Sequence, residues 1–102
     1  MATALTIYGQ DKLAPDVRVA ALAAANAALS REGVTAAEAV AGYGVDLLLA
    51  EGRSPEEQTD AHFREHGTSL RAAEAYCAAR EAAEGEIARR GARFAVLFSV
   101  AN

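Results

Sequence analysis

Alanine supplies 27 of the 102 residues, about half of everything hydrophobic in the chain, and no other feature limits its folding as much. An alanine side chain removes little apolar area from water, and burial is worth roughly 25 cal/mol per Å². Alanine is also the best helix former, because it loses no side-chain entropy on ordering. Such a chain is pushed toward helices packed closely through alanine faces. The alternative is a thin core completed against a partner, because a small chain buries a modest share of its surface.

Glycine and capping signals divide the chain. Gly33, Gly52, Gly67 and Gly91 each follow a helix-like run ending in a charged residue or histidine, and glycine ends many helices in the left-handed conformation. Four such stops imply four helices. Pro15 followed by Asp16 suits a first helical turn. Thr35 to Glu38 and Ser54 to Glu57 read as capping boxes, and Thr68 or Ser69 can cap the last helix. The spacing predicts helices over 15–32, 36–51, 55–66 and 69–90. The last presents Leu70, Ala73, Cys77, Ala83 and Ile87 inward and places Glu86 four residues before Arg90, a favourable ion-pair order.

The two ends read differently. Ala4 to Tyr8 is short, β-prone and stopped by Gly9. From Arg93 to Val100 the pattern alternates, with Phe94, Val96, Phe98 and Val100 on one face and Ala95, Leu97 and Ser99 on the other. The expected fold is α+β and predominantly helical, a single domain over 1–102 in the order β-α-α-α-α-β. Its N- and C-terminal strands pair in a small sheet whose Phe94/Phe98 face the four helices cover. The reverse face, with Leu97 and Ala95, is still apolar; a helix or a second copy of the chain are the candidate covers.

Charge and cysteine content narrow the function classes. The net charge of −4 and pI near 5.1 argue against non-specific affinity for nucleic acid or anionic membrane. No apolar run reaches bilayer length, and no signal-peptide pattern is visible. The lone Cys77 cannot form an internal disulfide, so a reducing, cytoplasmic setting is expected. It reads as a small hydrophobe on an apolar helix face. The negative charge is localised: Asp46, Glu51, Glu56, Glu57, Asp60 and Glu65 stand against Arg53 and Arg64, so this stretch carries the whole net −4. The third helix has Phe63 as its only larger apolar side chain and is expected to be the most exposed, or docked on something else.

Few residues suggest chemistry. His62, Glu65 and His66 fit the spacing H-x-x-E-H, which resembles the zinc site of inverted zinc peptidases, where two histidines a turn apart hold the metal and the glutamate is the base. A third protein ligand must then come from elsewhere, Asp60, Glu65 or Glu74 being the candidates. Gly67 ends the helix directly after His66, and 36 residues follow that histidine. His62 and His66 are thus candidate metal ligands rather than a peptidase centre. Gly42-Tyr43-Gly44 interrupts the second helix, which favours a close helix crossing or a kink over an exposed binding turn. The strand-to-helix loop from Gly9 to Pro15 lacks phosphate-loop spacing. No nucleophilic triad context surrounds Ser30, Ser54, Ser69 or Ser99. No catalytic residue and no cofactor is assigned.

Three function classes follow. The first is a small acidic protein-interaction domain, an adaptor or inhibitor, binding a larger, basic-surfaced macromolecule through Asp46, Glu51, Glu56, Glu57, Asp60, Phe63 and Glu65. Its alanine and arginine usage, with one lysine, fits a GC-rich bacterial or phage genome, and inhibitors encoded by mobile elements share this profile. The second is a DNA-binding regulator. Residues 3–52, with Ala4 to Tyr8 as strand and Val34 to Glu38 opening the second helix, distantly resemble a ribbon-helix-helix domain, which implies strands paired across a dimer and read into the major groove. The strand here lacks Arg, Lys, Asn or Gln to read base edges. The third is a metal-binding protein using His62 and His66.

Overall fold

A computed structural model describes residues 4–41 and 70–101. Along them run strand β1 (Ala4–Ile7), a 3-10 turn (Gln10–Lys12), helix α1 (Pro15–Glu32), helix α2 (Ala36–Ala41), helix α3 (Leu70–Arg89) and strand β2 (Phe98–Ala101). The described residues therefore hold three helices, not the four that the glycine stops imply. The helix expected over 55–66, the stops at Gly52 and Gly67, and the second helix beyond Ala41 lie outside the described residues.

Local chemistry sets the helix ends. Pro15 opens α1 and Asp16 stands in its first turn, where a carboxylate complements the helix dipole. Gly33, at φ 67°, closes it: the Gly33 N–H donates to the Ser30 carbonyl and the Val34 N–H to the Leu29 carbonyl, each at 3.1 Å. Gly91, at φ 82°, repeats the device after α3, with Ala92 N–H reaching the Ile87 carbonyl at 3.2 Å. A Cβ is strained in this backbone region, so glycine is the natural stop. The capping box ahead of α2 closes reciprocally: Glu38 N–H donates to Thr35 Oγ1 at 3.1 Å, and Thr35 N–H to Glu38 Oε1 at 3.3 Å.

α1 and α3 form the body of the molecule. Arg71, at the start of α3, donates through Nε and Nη2 to the Glu32 carbonyl at the end of α1, at 3.1 and 2.5 Å. At the other end Arg90, just past α3, lies 3.8 Å from Asp16 in the first turn of α1. The helices thus run antiparallel, tied at both ends. Between the ties, α1 buries Val17, Ala21, Ala25, Ala28 and Leu29, and α3 buries Ala72, Ala73, Ala75, Tyr76, Ala79, Ala83 and Ile87. Six of the eight residues on these helices that lie wholly out of solvent are alanines (Ala21, Ala25, Ala73, Ala75, Ala79 and Ala83), the others being Tyr76 and Ile87: with side chains this short, helix axes approach closely. Close packing through alanine is how this core is built. Cys77 is half-buried at the margin of the α3 face.

The chain ends pair as expected. β1 and β2 are antiparallel, with Leu5 opposite Val100 and Ile7 opposite Phe98. Leu5, Ile7, Val96 and Phe98 are buried, Phe94 packs half-buried against the core, and Val100 is partly exposed. The alternation over 93–100 does not become strand along its whole length: β2 starts at Phe98. β1 ends just before Tyr8, whose N–H makes a last bond to the Leu97 carbonyl at 2.9 Å, so residues 93–96 have no strand to pair with. On the outer face, Thr6 and Ser99 share a hydroxyl hydrogen bond of 2.8 Å across the strands. The ladder that the ribbon-helix-helix resemblance gives to a second copy is taken here by β2 of the same chain.

Gly85 sits inside α3, and a Cβ built there would meet only the Arg89 side chain, at 3.8 Å. Interior glycine costs about 0.5–1 kcal/mol relative to alanine. Gly85→Ala should therefore raise the urea midpoint by an equivalent amount with an unchanged slope. An unchanged or lower midpoint would show that this turn of α3 is not regular helix.

Candidate functional site

None of the residues proposed from the sequence to meet a partner (Asp46, Glu51, Glu56, Glu57, Asp60, Phe63 and Glu65) falls within the described residues. The same holds for His62 and His66 and for Gly42-Tyr43-Gly44. Glu74, the third-ligand candidate from the last helix, is exposed on α3. Among the described residues, no three histidine, cysteine or acidic side chains gather where they could hold a metal ion. The loop from Gly9 to Pro15 buries Leu13 and folds its Gln10 side chain back onto the strand.

What the described residues do arrange is a set of hydrogen bonds along the edges of the two-stranded ribbon. Ile7 N–H, on the outer edge of β1, donates to Gln10 Oε1 at 3.0 Å. On the opposite side, Val96 N–H donates to Glu84 Oε2 at 2.8 Å, and Phe98 N–H donates to Tyr76 Oη at 3.0 Å. Both acceptors belong to α3, so the C-terminal segment is docked along that helix. The Tyr76 and Phe98 rings meet edge to face, with centroids 5.3 Å apart and planes at 80°. Edge amides that find side-chain acceptors are withdrawn from pairing with other chains. Sequence reasoning missed Tyr76, Gln10, Glu84 and Arg71. One signal was present for Tyr76: it is the single aromatic of α3 and shares helical spacing with Ala72, Ala79, Ala83 and Ile87.

The outer face of the ribbon carries a half-open hollow of about 310 Å³, lined by Tyr8, Val40, Leu97, Phe98 and Ser99. Val40 brings α2 to this face, so the reverse side of the sheet is partly covered by a helix of the same chain. Tyr8 remains largely exposed.

At the end of α3, Glu86 meets Arg89 one turn on and Arg90 at 3.2 Å, the pair expected from the sequence. The Arg89 and then the Arg90 hydrogen bonds hold the Glu86 carboxyl below the usual glutamate range. A folded-state value below the unfolded one means stability that is present above the unfolded pKa and lost as pH falls through the lowered value. An NMR titration should place the Glu86 carboxyl below the ordinary glutamate value, and Glu86→Gln should remove this part of the acid dependence of stability. A Glu86 titration left unchanged when Arg89 and Arg90 are replaced by Gln would refute the pairing in solution.

Compared with known proteins, the chain matches no family model, no curated protein and no solved structure. No described helix is long and apolar enough to cross a membrane.

Proposed function

We propose that this chain is a small acidic protein-interaction domain, an adaptor or inhibitor, that binds a larger macromolecule with a basic surface. One observation carries the reading: charge is segregated along the chain. The described residues hold eight acidic and eight basic side chains and are neutral as a set, whereas the 28 residues between Ala41 and Leu70 hold six acidic and two basic ones. The whole net charge therefore lies in one continuous stretch between α2 and α3. Localised charge of one sign steers encounter with a complementary surface and disfavours like-charged partners. The interior of the described part also supports a scaffold role, since its buried polar contacts, such as Tyr76 to Phe98, are used to hold the fold together.

Reversal of charge at three positions, Glu56→Lys, Glu57→Lys and Asp60→Lys in one variant, tests the proposal. A partner recovered with the untagged chain and identified by mass spectrometry should bind the variant at least tenfold more weakly, and wild-type binding should weaken steeply with salt. Far-UV circular dichroism should stay unchanged. Equal binding by the variant, or salt-independent binding, would overturn the assignment.

A further inference from the structure

We draw no further inference here: the strongest candidate, the half-open apolar hollow between the outer face of the β1–β2 ribbon and α2, is lined by Tyr8, Val40, Leu97, Phe98 and Ser99, but nothing in the structure shows what covers it.

Discussion

Tyr76→Ala will cost about 3–5 kcal/mol of folding stability, the range for removing a large ring from a packed core. Tyr76 is fully buried, and it is the largest such side chain in the described residues. Its ring supports Phe98 edge to face, and its hydroxyl accepts the Phe98 N–H. Loss of the ring opens a cavity between α3 and β2 and strands a buried amide at once. Tyr76→Phe separates the two effects. It keeps the ring and removes the acceptor, and an unsatisfied buried amide costs about 1–3 kcal/mol. Urea denaturation of the two variants should therefore give two distinct losses, the alanine variant being the worse. A domain of this size has on the order of 5–15 kcal/mol in total, so the larger loss would leave a marginal fold. If Tyr76→Ala lost less than about 1 kcal/mol, a value typical of surface positions, β2 would not be docked as described.

The second large effect is expected at the alanine seam. Ala25 and Ala79 are completely buried, on α1 and α3. Ala25→Leu or Ala79→Leu forces three extra carbons into a close-packed interface, and overpacking costs about 1–3 kcal/mol per site. The double variant should lose more than either single one, without simple additivity, because both changes press on one interface. Ala23→Leu on the exposed face of α1 is the control, with an expected change within about 0.5 kcal/mol. Thermal melts of the four proteins decide the matter. Similar midpoints for the seam and control variants would mean that α1 and α3 do not pack through alanine.

Much of the local structure was legible in the residues. The bounds of α1 agree with the reading from Pro15 and Gly33, and the Thr35–Glu38 box and the Glu86–Arg90 pair form as their spacing implies. These features act over one helical turn, so their physics is contained in a few neighbouring residues. The start of β2 was not legible. Alternation from Arg93 to Val100 reports which side chains turn inward, and it does so correctly for Val96 and Phe98. It carries no information on how far a partner strand extends, and β1 stops too early to pair with residues 93–96. The inward face of α3 was legible in part: Ala73, Ala83 and Ile87 are buried as their spacing implies, and Cys77 is half-buried. The same pattern passed over the buried Tyr76, because alanines on every side leave little contrast between faces. The candidate site rests on charge pattern alone, since Asp46 to Glu65 lie outside the described residues.

By itself the amino-acid order determined where α1 begins and ends, where α2 starts, that Gly91 follows the end of α3, and that the two termini are strand-forming. Those outcomes follow from backbone propensity and capping, each of which acts at short range. Only the tertiary structure decided which face of α1 turns inward, because Ala23 and Ala27 on its outer face resemble Ala21 and Ala25 on its inner one. It likewise decided that α3 supplies the acceptors for the C-terminal strand, through Glu84 and Tyr76. When a helix offers nearly the same surface all round, local pattern cannot orient it. The choice falls to long-range ties such as Arg71 on the Glu32 carbonyl and Tyr76 on Phe98, which join residues far apart in the chain.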